Sequence, residues 1–257
     1  MTFGQHLKEL RSRLIKAMIG VLAALTICLV YMNELVSIMQ VPHEQAQARL
    51  RVEYPNLKES LFMDISYQRP FFAYFKLAMI CALFLASPVV GYQLWRFIAA
   101  GLYKNERKWV LLFAPLSFAL FVGGCVFGYF LLIPEGLYFM AKLSDPSRVA
   151  QYFAISDYLD LVTLLTIVTG AVFQIPVLMM FFSMIGLTTW KSYLKFWRWA
   201  IVLNFAAAAI LTPSPDPFSM ILMAGPMIVL YFLGVGMAAV VGRERERPAE
   251  EAQKSTA

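Results

Sequence analysis

QLWRFIAAGLYKNERK, residues 93–108, decides how this chain is read. It joins two long apolar runs, residues 70–98 and 109–133, and carries Arg96, Lys104, Arg107 and Lys108 against one acid, Glu106. Short connections this basic stay on the cytoplasmic side of a membrane. The flanking runs then read as membrane-spanning helices, and the orientation of the rest follows from theirs.

Composition points the same way. Of 257 residues, 60% are hydrophobic and 15% charged, and the mean hydropathy is +0.65. Soluble domains carry roughly 45–50% apolar and about 25% charged residues. The chain therefore reads as an all-α integral membrane protein. Its net charge of +6 follows from the positive-inside bias, and no nucleic-acid partner is expected. Cys28, Cys81 and Cys125 lie inside apolar runs without C-x-x-C spacing, so they read as buried thiols, not a metal site or disulfide framework. The sequence holds two histidines, His6 and His43, and no Walker A, H-E-x-x-H or G-x-S-x-G pattern. No cofactor, metal or catalytic constellation is expected, and the chain is not read as an enzyme.

Six spans are expected, at about residues 15–36, 70–98, 109–133, 157–186, 196–211 and 218–241. Ahead of the first, Phe3, Leu7, Leu10 and Leu14 repeat at helical spacing and predict an amphipathic helix on the membrane surface, with Glu9 paired to Arg13 at i, i+4. Residues 37–69 form a long polar outer connection in which Pro42 and Pro55 are expected to interrupt any long helix, leaving one or two short helices packed over the outer face. Lys76 lies about 9 Å into the second span and can snorkel outward, and Pro88 predicts a kink. Gly124 and Gly128 allow close approach in the third span, which Pro134-Glu135 is expected to end. Ser156, Asp157 and Asp160 suit a helix start. Gln174 lies about 25 Å along the fourth span, two residues before Pro176, and should face protein or water instead of lipid. Counted from Phe196, the fifth span is only about 24 Å long, short of a roughly 30 Å hydrocarbon core. Gly225-Pro226 is expected to interrupt the sixth, and residues 242–257 read as a disordered charged tail. With both termini in the cytoplasm, the inner segments hold 15 basic and 6 acidic residues, and the rest 7 and 10. That asymmetry is the one the positive-inside rule requires.

Two stretches carry a family resemblance. HLKELRSRL (residues 6–14) and residues 93–108 resemble the two cytoplasmic signatures of TatC, the multi-spanning subunit of the twin-arginine protein translocase. Further matches are Arg69-Pro70-Phe71-Phe72 with Lys76, Phe173-Gln174-Ile175-Pro176-Val177, Leu211-Thr212-Pro213, and Asp216-Pro217-Phe218-Ser219. The likeness covers about residues 2–241.

The resemblance implies a receptor that binds twin-arginine signal peptides. Together with single-span TatA/TatB-type subunits and further copies of itself, it moves folded proteins across the cell inner membrane on the proton-motive force. Glu9 and Glu106, with Arg13 and Phe97, match positions tied to binding the paired arginines. Pro42 matches a proline of the outer cap. Gln174 matches an intramembrane polar position, glutamate in many relatives, and Asp216 lies in the motif between the last two spans. Three residues depart from the pattern: Ala100 where relatives often have proline, Met220 where many have glutamine, and Gln174 itself, which cannot ionise. The alternative reading is a small-solute secondary transporter, but that class usually shows internal repeats and several midplane polar groups, and this sequence has no convincing repeat and very few such groups. An intramembrane enzyme would need a nucleophile–base or metal constellation.

Overall fold

The apolar runs are helices in the computed structural model, which describes the backbone of residues 3–55, 62–64, 66–101, 107–143, 152–212 and 217–255. Side chains are described for the same residues except 3, 107–112 and 243–255. The helices are α1 (Phe3–Val30), α2 (Met32–Glu53), α3 (Gln68–Gly101), α4 (Arg107–Phe127), a π-helical turn (Gly128–Leu132), α5 (Ile133–Leu143), α6 (Ile155–Val172), α7 (Ile175–Met184), α8 (Trp190–Leu211) and α9 (Pro217–Ser255). Among the described residues the β-structure is one isolated bridge, Phe62 to Phe153. Six stretches are long and apolar enough to cross a membrane: Gly4–Val30, Gln68–Gly101, Phe113–Leu143, Ile155–Met184, Trp190–Leu211 and Pro217–Gly242. Packing divides the chain into two compact units, Met1–Thr169 and Gly170–Ala257, where the sequence reading has a single six-helix domain.

In the first unit α1 and α3 run antiparallel. Ala24 and Cys28 of α1 meet Ala78, Ala82 and Ala86 of α3, which fall four residues apart on one face. A Cβ at Gly20 would stand 3.0 Å from Val89. Small residues bring two backbones close where lipid offers no hydrophobic drive to associate. The expected surface helix and first span are one continuous helix, because nothing between residues 4 and 30 breaks its hydrogen-bond ladder.

Two prolines fail to end helices as expected, for separate reasons. Pro42 lies inside α2, one helix of 22 residues, and does not divide it into shorter pieces. Its missing N–H leaves the Ile38 carbonyl without its helical donor, and the Tyr129 hydroxyl donates to that carbonyl instead. The Tyr158 hydroxyl donates to the next one, Met39 O. Pro134 lies in α5, so the third span continues to Leu143. The π-helical turn precedes it, with the Ile133 N–H bonded to Gly128 O. That wider turn relieves the clash between a proline ring and the carbonyl four residues back. A Cβ at Gly128 would collide with Thr169 of α6, so close approach is required at this glycine.

Ion pairs fasten the outer elements. Arg49 of α2 pairs with Glu135, and Glu53 accepts from Lys142 Nζ at 2.6 Å and from the Tyr138 hydroxyl. Lys76 pairs with Asp160 at 2.9 Å and Arg69 with Asp157 at 4.0 Å, so these acids bind cations beside a helix start. His43 is buried among the rings of Phe62, Phe153 and Tyr158.

The second unit is built on α7, α8 and α9. Gly186 has φ 81°, a backbone conformation open to glycine. Its N–H bonds Ser183 O at 3.2 Å while the Leu187 N–H bonds Phe182 O at 3.0 Å, which closes α7 in a Schellman turn. Thr189 then caps α8 by accepting from the Ser192 N–H at 3.2 Å. α8 therefore starts at Trp190 and has 22 residues, about 33 Å. This corrects the expectation of a fifth helix too short for a bilayer. Tyr231 donates to Tyr193 O at 2.7 Å, and Ser183 Oγ to Ala238 O at 3.3 Å. A Cβ at Gly234 would stand 3.0 Å from the Pro176 backbone. α9 continues through Gly225-Pro226 to Ser255, so neither the expected interruption nor the disordered tail over residues 242–255 is found.

Candidate functional site

The start of α1 lies against the end of α3. Glu9 and Arg13 are one helical turn apart, and Arg13 Nη2 donates to Glu9 Oε1 at 3.2 Å. The second guanidinium nitrogen, Nη1, donates to Gln93 Oε1 at 3.2 Å. The guanidinium is thus shared between a carboxylate on its own helix and an amide on the neighbouring one, and this ties the helices together. Both charged side chains are largely buried, at 19% and 21% exposure, so the pair is better shielded from solvent than an ordinary surface ion pair. One turn beyond Gln93, Phe97 stacks on His6 with ring centroids 4.5 Å apart and planes 25° from parallel. Leu7 and Leu10 present exposed apolar surface beside this junction, at 50% and 41%.

Three of the residues singled out in the sequence, Glu9, Arg13 and Phe97, are therefore brought together. The expected Glu9–Arg13 pair is present. Glu106 and Asp216 lie outside the described residues. Pro42 is a separate feature in α2, at the far end of α1. Gln174 belongs to the second unit, at the break between α6 and α7. There the fourth span stops and restarts. The Gln174 N–H bonds Ala171 O at 3.0 Å, its carbonyl accepts from the Leu178 N–H at 3.0 Å, and Pro176 falls in the first turn of α7. A proline at that position needs no donor, so the backbone solves the problem by restarting the helix, and the Gln174 side chain does not cap it.

Gln93 and His6 were not singled out as site residues. The signal for Gln93 was its place at the head of residues 93–108, in line with Phe97 at helical spacing. Among the described residues no group of three His, Cys, Asp or Glu side chains could hold a metal ion.

The sequence profile of the family "Sec-independent protein translocase protein (TatC)" matches residues 5–226. The chain belongs to the TatC family. Among TatC relatives, the protein of Koribacter versatilis is 37% identical over 99% of this chain and 92% of its own length. The chloroplastic TATC of Oryza sativa subsp. japonica is 33% identical over 95% of this chain but only 64% of its own length. Two crystal structures of the twin-arginine translocase receptor TatC, one of them in DDM, are 28% identical and cover 91% of this chain, with TM-scores of 0.71 and 0.73. TatC is a translocase component, not an enzyme. The alternative of a small-solute transporter finds no support among these relatives. Six candidate spans and TatC membership make this a multi-pass membrane protein.

Proposed function

We propose that the chain is the signal-peptide receptor of a twin-arginine translocase in the inner membrane, with both termini in the cytoplasm. The peptide's paired arginines meet Glu9 at the α1–α3 junction and Glu106 in the segment after α3. Arg13 positions Glu9, and Phe97 with Leu7 and Leu10 offers apolar contact to the residues after the arginines. The observation that carries this reading is the Glu9 carboxylate, which among the described residues meets Arg13 through one oxygen. Arg13 reaches it with one nitrogen and spends the other on Gln93. An incoming guanidinium can bind such a carboxylate with two parallel N–H bonds, which a lysine ammonium cannot do.

Six helices of this size enclose no pore for a folded domain. Transport driven by the proton-motive force therefore needs single-span TatA/TatB-type partners and further TatC copies. Gln174 and Asp216 are proposed as polar contacts for such partners, and Pro42 as part of the outer cap.

Signal-peptide affinity in detergent or nanodiscs tests the site. Glu9→Gln should weaken binding by about 1.5–3 kcal/mol if the bond is charge-assisted. A peptide with both arginines changed to lysine should bind far less well. Equal affinity for the lysine peptide would remove the carboxylates from the recognition step.

A further inference from the structure

The first three turns of α8 carry a feature that signal recognition does not use. Lys191, Lys195 and Arg198 fall at i, i+4 and i+7, within a sector of about 60° and about 10 Å of helix length. All three are exposed. Tyr193 and Ala200, which pack with Met179, Tyr231 and Val235, lie on the opposite face of α8. The helix contains no Asp or Glu. Several cations elsewhere have polar partners: Arg13 has Glu9 and Gln93, Lys76 has Asp160, and Arg96 has the Tyr92 hydroxyl at 2.9 Å. Two of the three α8 cations lie against tryptophan rings. Lys191 Nζ stands 5.6 Å from the centre of Trp190, and the Arg198 guanidinium 5.6 Å from that of Trp197. Trp199, 65% exposed, flanks the other side of the stripe.

We propose that this stripe is a binding site for an anionic phospholipid, its headgroup phosphate on Lys191, Lys195 and Arg198 and its acyl chains along the same face of α8. Topology alone requires only that basic residues lie on one side of the membrane. It does not require three of them aligned on one sector, facing away from the packed face. Tryptophan settles at the headgroup level, so the flanking rings place the cations at phosphate depth. Deeper along the same sector the surface turns apolar and small, with Val202 59% exposed and Ala206 exposed. Cations followed directly by an apolar track match an amphipathic lipid. An acidic polypeptide would leave that track unused. Each cation near an anionic surface strengthens attraction about fivefold.

Tryptophan quenching tests this in the whole protein, because Trp190, Trp197 and Trp199 are three of its five tryptophans. The protein is reconstituted in phosphatidylcholine vesicles containing a fixed fraction of brominated phosphatidylglycerol or, in the control, brominated phosphatidylcholine. Brominated phosphatidylglycerol should quench with at least about a fivefold higher apparent association, and the preference should fade in ~1 M salt. Lys191→Gln, Lys195→Gln and Arg198→Gln combined should abolish it, while Lys191→Arg with Lys195→Arg should retain it. If the triple variant does not insert, the three single variants should each lower the preference. Equal quenching by the two lipids, or a preference that survives the glutamine substitutions through Trp95 or Trp109, overturns the proposal.

Discussion

Pro42 separates what local sequence can say from what a neighbour decides. The expectation that it breaks a helix rests on a correct premise: proline has no N–H to give to Ile38 O. The sequence offers no sign that Tyr129, 91 residues away, supplies the missing hydrogen bond. The same limit applies at Glu9. Its partner four residues on was legible from helical spacing, whereas Gln93 across the α1–α3 seam was not. If the Tyr129 hydroxyl compensates for the proline, the two positions are energetically coupled. Tyr129→Phe should cost about 0.5–1.5 kcal/mol in the native background. In Pro42→Ala, where a backbone N–H is restored, the same substitution should cost clearly less. A double-mutant cycle on thermal unfolding in detergent measures the difference. Identical costs in the two backgrounds would mean that the hydroxyl does nothing for the orphan carbonyl.

At the scale of elements, hydrophobic runs located all six spans, while their ends followed from chemistry that a window average does not register. The fifth helix gained its first two turns because Thr189 caps it and basic residues are tolerated at the membrane interface. The third extends past its expected end at residue 133 to Leu143 because a π-helical turn accommodates Pro134. α2 is the element the sequence concealed most, since its prolines made it read as short helices in a polar connection instead of one helix of 22 residues. Its attachment has a defined pH response. Burial among uncharged rings lowers the His43 pKa below its ordinary value near 6.5. The folded state therefore binds fewer protons than the unfolded one as pH falls below about 6.5, and stability falls with it. Glu53 behaves differently. The hydrogen bond from Lys142 holds its pKa below the ordinary 4.5, so its contribution persists above that value and is lost only as pH falls through the depressed pKa. Amide hydrogen exchange in α2, corrected for intrinsic rates, should accelerate between pH 7.5 and 5.5, and His43→Phe should flatten that response. An α2 that keeps full protection down to pH 5.5 would argue that its anchorage is independent of His43.

At the scale of the whole molecule the question is which side each segment faces, and parity answers most of it. α2 cannot serve as a seventh span. It carries Glu34, Glu44, Arg49, Arg51 and Glu53 within 22 residues, and charges at that density do not enter hydrocarbon. With α2 left on one surface, six spans return the chain to the side where it began. We propose that this side is the cytoplasm, because the positive-inside bias assigns the basic segments at residues 8–16, 96–108 and 191–198 to it. Single cysteines at exposed positions, introduced after Cys28, Cys81 and Cys125 are replaced by alanine, read this out with a membrane-impermeant maleimide. Gly4→Cys enters open space at the start of α1, and Ser37→Cys and Ser192→Cys lie on exposed faces of α2 and α8. One span separates residues 4 and 37, and three separate residues 37 and 192. Ser37→Cys should therefore label in intact cells, with Gly4→Cys and Ser192→Cys labelling only after the membrane is opened. Labelling of residues 37 and 192 from the same side would require an odd number of the three candidate helices between them to lie outside the membrane or α2 to cross it, and the positive-inside reading of residues 93–108 would fall with the parity.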